Sequence, residues 1–325
     1  MRPGPHNLIT DVPGLRVGHA TDEAAGTGVT TVLTDGAWVA AVDVRGGGPG
    51  VRETDTLAPE NLVPGVHAVV LSGGSVFGLA AADGVVARLS MRGVGLRLAS
   101  EGKALPIVPS AILYDLSGDG DKDWGETPPY RALGLASVDA AAEEFALGSV
   151  GAGRGARAGQ VKGGIGSVSL DMGDGLMAGA LAAVNPVGSV FVPGGEIYWA
   201  WPFEIDDEFG GRVPDGTPLA HDPMPAEGRL TRPQAGTNTT LVVVATNAAL
   251  DKGEAKRVAM MAQDGIARAV RPAHTPFDGD IVFTIAGGTI ALPADAGRQR
   301  EIARIGSAAA DCVARAIARG VFHAR

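Results

Sequence analysis

Apolar residues recur along this chain in short blocks separated by turn residues, and the blocks differ in period. Residues 28–34 (GVTTVLT) and 38–44 (WVAAVDV) are rich in β-branched side chains and bounded by turn residues, which predicts two strands. Residues 66–71 (VHAVVL) predict a third. The SGGS that follows leads into 76–89, where Ala, Leu and Val return at helical spacing. A strand, a glycine turn and a helix in succession point to layered α and β packing.

Residues 136–147 (ASVDAAAEEFAL) predict a helix, followed by a glycine-rich stretch from 148 to 166. Strands are expected at 167–170 and 176–184. From 193 to 236 prolines, acids and glycines replace the apolar periodicity, which predicts a long exposed loop. A structureless stretch of that length is uncommon and usually functional or mobile. Residues 239–246 (TTLVVVAT) form the clearest strand pattern in the chain. Asp251 and Glu254 make a capping box that opens a helix running through Ala269. A strand at 281–286 and a final helix at 297–318 complete the reading, and no repeat of solenoid period is present.

Composition narrows the class. The chain has 325 residues, 45% of them hydrophobic and 19% charged, enough for one large core or two modest ones. Its 49 glycines and 21 prolines are dispersed among apolar runs, so a loop-rich globular fold is expected rather than a disordered one. Lys+Arg 27 against Asp+Glu 36 gives a net charge of −9, which argues against a general phosphate-binding surface and a nucleic-acid partner. Cys312 stands alone, which excludes an internal disulfide and a cysteine zinc site. The six histidines show no paired metal spacing, so neither a metal nor another cofactor is expected. The start MRPGPHNLITDV lacks a cationic segment followed by an apolar run, and no apolar stretch reaches the roughly 20 residues of a membrane span. The expected setting is the cytoplasm, without a membrane partner.

Three local patterns suggest chemistry that their context does not support. Gly151, Gly153 and Gly155 fit a relaxed dinucleotide fingerprint, with Asp171 lying 20 residues on, but the preceding segment reads as helix instead of strand. Asp119, Asp121 and Asp123 imitate the start of a calcium loop, yet Trp124 and Tyr130 stand where such a loop needs Gly and Glu. Ser75 sits between a strand and a helix without the spacing of a nucleophile elbow, and a tight turn accounts for it.

A stronger candidate is Gly236-Thr237-Asn238-Thr239-Thr240, where a long loop meets a buried strand. Strand and turn propensity alone explain these residue types. The functional alternative is a self-processing nucleophile. If the Asn238–Thr239 bond breaks, Thr239 gains an α-amino group with a reference pKa of about 7.7–8.0. That amine can take the hydroxyl proton, so one residue supplies both nucleophile and base.

NLITDVPGLRVGHATD at 7–22, LSGGSVFGL at 71–79, PSAILYDL at 109–116, AVNPVG at 183–188, GTNTT at 236–240 and HTPFDGD at 274–280 occur in this order. With these segments the chain resembles the self-processing L-aminopeptidase/D-esterase family. That family also holds β-peptidyl aminopeptidases and the nylon-oligomer (6-aminohexanoate-oligomer) endohydrolases. The resemblance implies an α/β fold, an αββα layered sandwich similar to N-terminal-nucleophile hydrolases but differently connected. It implies one domain over 1–325, cut between Asn238 and Thr239 into an α-chain of 1–238 and a β-chain of 239–325, paired and assembled as a tetramer of pairs.

The same resemblance assigns roles. Thr239 matches the nucleophile, and Asp278 and Asp280 match the acidic pair of the nylon-type enzymes, where the aminopeptidases tend to carry Ser and Glu. Tyr114 and Asn185 match a tyrosine and an asparagine lining the active site, both able to donate to an oxyanion. A nylon-type lysine falls by gap-free matching on Gln160, with Lys162 two positions on as the candidate cation. The two acids should repel, so that one has a raised pKa or a cation sits between them, the Thr239 ammonium being the candidate. The alternative for this pair is an Asp-Gly turn with solvated carboxylates. The expected activity is hydrolysis of linear amides of the nylon-oligomer type. The alternatives are an aminopeptidase acting on short L-, D- or β-amino peptides, and a non-catalytic binding protein on the same fold.

Overall fold

In the strand from Thr239 to Ala248, side chains alternate between two apolar cores. Leu241, Val243 and Ala245 face one, while Val242 and Val244 face another. Such alternation follows from the period of two of an extended chain. It means that both faces of the sheet are covered. The computed structural model describes residues 1–99, 102–216, 222–229 and 238–325.

The strands in chain order are β1 (Leu15–Asp22), β2 (Thr27–Val44), β3 (Val51–Arg52), β4 (Val66–Ser72), β5 (Ser110–Ile112), β6 (Arg157–Ala158), β7 (Val161–Lys162), β8 (Ile165–Asp171), β9 (Met177–Asn185), β10 (Thr239–Ala248) and β11 (Ile281–Ile290). The helices are α1 (Ala81–Met91), α2 (Tyr130–Asp139), α3 (Lys252–Ala269) and α4 (Gly297–Phe322). The order β3-β5-β4-β2-β11-β10-β9-β8 makes one path of hydrogen-bonded strands, with β1 also paired to β2. β10 and β11 are parallel, and β9 and β2 flank them in antiparallel register.

β2 converts this path into two layers. The two strands that the sequence predicts at 28–34 and 38–44 are one strand, continuous through Asp35-Gly36. Its first half pairs with β1 and β4 and its second half with β11, with a register shift between Leu33 and Trp38. The Trp38 indole donates to Asp35 Oδ1 at 2.8 Å across the bend. A bulge of this kind re-aims a strand without ending it. The halves face each other across a core that contains Val17, Val32, Leu71, Leu181, Leu241 and Phe283. Outside β4 and the first half of β2, Val29, Leu33 and Val70 pack with Ala81, Val85 and Val138 of α1 and α2. Outside β8–β11, Val242, Val244 and Val282 pack with Val258, Ile266, Ile305 and Val313 of α3 and α4. The result is the expected αββα sandwich.

Several local expectations need correction. The helix read at 136–147 lies at Tyr130–Asp139, just after Pro128-Pro129, where a proline needs no intrahelical partner for its missing N–H. Residues beyond it turn to the edge of β1, where Ala142 and Val17 exchange backbone hydrogen bonds and His19 Nε2 meets Ala146 O at 3.1 Å. The helix read at 76–89 opens as a 3-10 turn, Ser75–Ala80, and becomes α-helical from Ala81. The loop read at 193–236 is not wholly exposed: Tyr198, Ala200 and Phe209 join the core under α3 and α4. Glu208 from that loop meets the fully buried Arg315 of α4, Nε to Oε1 at 2.5 Å and Nη2 to Oε2 at 3.0 Å. Residues 217–221 and 230–236 of the same stretch lie outside the described residues. By contrast, α3 begins as expected: Asp251 Oδ1 accepts from Glu254 N at 2.8 Å and Glu254 Oε2 from Asp251 N at 2.9 Å.

Candidate active site

The parallel register of β10 and β11 places the Asn238–Thr239 peptide beside the segment Asp278-Gly279-Asp280. Gly279 N–H donates to Asn238 O at 2.8 Å. The Thr239 hydroxyl donates to the same oxygen at 2.5 Å. The carbonyl before Thr239 is therefore polarised by two donors, one of them the Thr239 hydroxyl. A Cβ at position 279 would stand 2.7 Å from Thr239 Oγ1 and 2.8 Å from Gly48 O, so only glycine leaves room for the hydroxyl. Of the GTNTT segment, Gly236 and Thr237 lie outside the described residues.

Both acids are fully buried, which removes the solvated-turn alternative for this pair. Asp278 Oδ1 accepts from Val187 N at 3.0 Å, and its Oδ2 accepts from Thr275 N at 3.0 Å and Thr275 Oγ1 at 2.6 Å. Asp280 Oδ1 accepts from Thr240 N at 2.8 Å. Its Oδ2 accepts from His274 N at 3.0 Å and lies 2.9 Å from His274 Nδ1. Burial, and then the neighbouring charge of Asp280, push the Asp278 pKa up to about 6. The Thr239 nitrogen is a peptide N–H, and the Asp280 carboxylate holds the backbone one residue further on.

Asn185 ends β9 directly opposite Thr239 in the antiparallel register and is fully buried. Residues paired this way present their side chains on the same face. Its Oδ1 accepts from Arg157 N at 2.9 Å, and its Nδ2 donates to Tyr114 O at 3.2 Å. Tyr114 is half-buried just beyond β5, and it is the Tyr114 carbonyl that touches Asn185. Lys162 is exposed on the β6–β7 hairpin, opposite Arg157. Gln160, at the tip of that hairpin, uses its N–H and its side-chain Nε2 on Glu227 O at 3.1 Å and Ala226 O at 2.6 Å.

Four further groups enter the site without having been singled out in the sequence. The Gly279 N–H is a backbone donor and depends on strand register. His274 and Thr275 lie within the HTPFDGD segment, and each serves one carboxylate. Arg229 approaches Asn185 from the 193–236 stretch, and no spacing pattern marks it. The weaker patterns stay apart from this chemistry. Gly151–Gly153 is a 3-10 turn following Val150, which has extended dihedrals but lies in no strand. Ser75 adopts a left-handed φ of 51° and donates its N–H to Leu113 O. Among the described residues no cluster of three or more His, Cys, Asp or Glu could hold a metal ion, and no helix is long and apolar enough to cross a membrane.

Comparison with known proteins places this arrangement. The model of peptidase family S58 matches residues 7–325. An uncharacterized aminopeptidase of Mycobacterium bovis is 42% identical over 98% of this chain and 94% of its own length. A 6-aminohexanoate-oligomer endohydrolase of a Kocuria strain is 30% identical, covering 91% of this chain and 79% of that one. The structure of an L-aminopeptidase D-Ala-esterase/amidase from Ochrobactrum anthropi superposes with a TM-score of 0.71 over 99% of this chain and 88% of that one, at 21% identity. It is described as a variant of the Ntn hydrolase fold, and the likeness extends to fold alone. With a family match over nearly its whole length and relatives of this kind, the chain belongs to peptidase family S58 and is an amide-bond hydrolase.

Proposed function

We propose that this protein is a self-processing amidohydrolase whose nucleophile is the N-terminal threonine released by its own cleavage. The observation that carries the reading is the grip on the Asn238 carbonyl, held by Gly279 N–H at 2.8 Å and by the Thr239 hydroxyl at 2.5 Å. In maturation, Thr239 Oγ1 bonds to the Asn238 carbonyl carbon while the Gly279 N–H stabilises the oxyanion. The C–N bond then breaks, and the hydroxyl proton ends on the Thr239 nitrogen. Water hydrolyses the resulting ester, leaving an Asn238 carboxylate and a free Thr239 amine and hydroxyl.

In turnover, the freed amine takes the hydroxyl proton as Oγ1 attacks a substrate amide. Asn185 Nδ2 donates to the new oxyanion, a contribution typically worth about 3–4 kcal/mol. The leaving amine receives the proton, and water releases the acyl group. Asp280 holds the strand end on which the nucleophile stands through Thr240 N–H, and Asp278 ties Val187 to Thr275 beside it. No step calls for a cofactor. The two chains are proposed to stay paired, in a cytoplasmic homo-oligomer acting on a small amide or peptide.

Two substrate classes remain distinct. The relative at 42% identity is named an aminopeptidase and the one at 30% an oligoamide endohydrolase, so removal of an N-terminal residue from short peptides becomes the first reading. Endohydrolysis of linear amides of the nylon type is the second, favoured by the combination of Thr239 with Asp278 and Asp280. Denaturing electrophoresis and intact mass test the core of the proposal. Wild-type protein is expected as two chains divided at Thr239. Thr239→Ala is expected as one chain, with turnover lowered by about 10⁴-fold or more. A single uncut chain with full activity would end this reading. Paired free and N-acylated amide substrates then separate the two classes, since an aminopeptidase needs the free amine.

A further inference from the structure

Arg229 lies ten residues before Thr239 in the sequence, on a segment that forms neither helix nor strand. Its Nη2 is within hydrogen-bond distance of four oxygens: Arg157 O at 2.9 Å, Pro186 O at 3.1 Å, Asn185 O at 3.2 Å and Asn185 Oδ1 at 3.4 Å. Two protons are shared among four acceptors. Burial pulls the Arg229 pKa down to about 10, against the opposing pull of the Asp278 charge, so the guanidinium stays cationic at neutral pH.

The Asn185 amide has one accepting end and one donating end. Its Oδ1 faces two donors, Arg157 N–H and Arg229, and its Nδ2 faces an acceptor, Tyr114 O. Turning the amide over would set an NH₂ group against a cation and a backbone N–H, and would cost the Arg157 N–H its Asn185 acceptor. The orientation is thus set jointly by the Arg157 N–H, Arg229 and the Tyr114 carbonyl. One Nδ2 proton goes to Tyr114 O, and the other remains for the site.

The segment around Arg229 is held by contacts that do not involve the 238–239 peptide bond. Arg229 N–H donates to Val187 O at 2.8 Å, and Gln160 binds Glu227 O and Ala226 O from the β6–β7 hairpin. We infer that Arg229 is a positioning residue, one that locks the Asn185 amide with its NH₂ toward the reacting carbonyl and stays seated after the chain is cut. The segment 222–229 that carries it thereby remains part of the finished site. This rests on the reading of Asn185 as the oxyanion donor.

The test compares matured wild-type enzyme with Arg229→Gln, Arg229→Lys, Asn185→Ala and the Arg229→Gln/Asn185→Ala double variant, on one amide substrate, with thermal melts as a fold check. Arg229→Gln is expected to lower kcat by about 10- to 100-fold while KM changes little, since small misplacements of a donor act on the transition state. Arg229→Lys keeps the charge without the planar fork and should recover part of the loss. The double variant should be no slower than Asn185→Ala alone, because both changes remove the same interaction. Arg229→Gln at wild-type kcat, or losses that multiply in the double variant, would overturn the inference. Should Arg229→Gln not fold, the same comparison is made with Arg229→Lys alone and combined with Asn185→Ala. Full turnover by Asn185→Ala would sink the oxyanion reading itself. A crippled Asn185→Ala beside an unaffected Arg229 variant would sink only the positioning role.

Discussion

Asp278 and Asp280 reach the site on the leading end of a buried parallel strand, whereas Arg229 reaches it on a segment without helix or strand. The acids are fixed by register: Asn238 bridges Asp278, Leu241 pairs with Ile281, and the carboxylates accept from four backbone N–H groups in all, those of Val187, Thr240, His274 and Thr275. Their placement is a property of the whole sheet. Arg229 is fixed by a few carbonyl oxygens and one backbone pairing to Val187. Its placement is local. A buried anionic pair built into a sheet and a cation delivered by a loop therefore fail in different ways when perturbed.

The largest effect is expected at the strand end. Gly279→Ala would push a Cβ to 2.7 Å from Thr239 Oγ1 and 2.8 Å from Gly48 O. The hydroxyl would have to leave the Asn238 carbonyl. Maturation and turnover should both slow by about 100-fold or more, since small displacements of a reacting group carry that cost. Overpacking should also destabilise the fold by about 1–3 kcal/mol. Time-resolved electrophoresis of the uncut chain reads the first effect and thermal melting the second. Maturation at the wild-type rate would mean that the hydroxyl does not need this space.

A smaller effect concerns protonation. Burial and the nearby Asp280 raise the Asp278 pKa from 3.8 to about 6. Between about pH 4 and pH 6 the folded chain therefore keeps a proton that the unfolded chain has released. Stability contributed by this group is highest below pH 4 and falls as pH rises toward 6. Asp278→Asn removes that dependence. Across this window, the stability of wild type relative to the variant should fall with rising pH, by on the order of 2 kcal/mol. Denaturant melts at several pH values measure the difference. A gap that widens in favour of wild type as pH rises would contradict the raised pKa and weaken the picture of a crowded acidic pair.

Periodicity carried most of the layers into view. The strand at 239–246 and the helix from Asp251 were legible because alternation and a capping box are local signals. The continuity of β2 through Asp35-Gly36 was not. The dipeptide that marks a hairpin also serves as a bend, and only pairing with β4 and β11 distinguishes them. Residues 140–147 are rich in alanine and glutamate, yet they give their backbone to the edge of β1, a partner more than a hundred residues away in sequence. Resemblance supplied Asn185, Asp278 and Asp280 as candidates, but their burial and partners came from the fold. Arg229 left no trace because three of its four contacts are to backbone carbonyls, which every residue carries. Gly279 escaped because its contribution is an N–H and an empty space.

Lys162 gives the smallest expected effect and the sharpest contrast with Arg229. It lies exposed on the β6–β7 hairpin, opposite Arg157, whose own N–H is the one that binds Asn185. A solvated ammonium there is screened by water and salt, so its field at the oxyanion is weak. Removing its charge leaves the Arg157 backbone contact in place, because that contact depends on hairpin geometry and not on the lysine side chain. Lys162→Ala should therefore keep maturation and kcat within about twofold of wild type, as surface changes away from special features usually do. Steady-state kinetics at low and high salt make the check. A loss of about tenfold or more that survives high salt would place the ammonium at the substrate, and Lys162 would then replace Arg229 as the cation on which Asn185 chemistry depends.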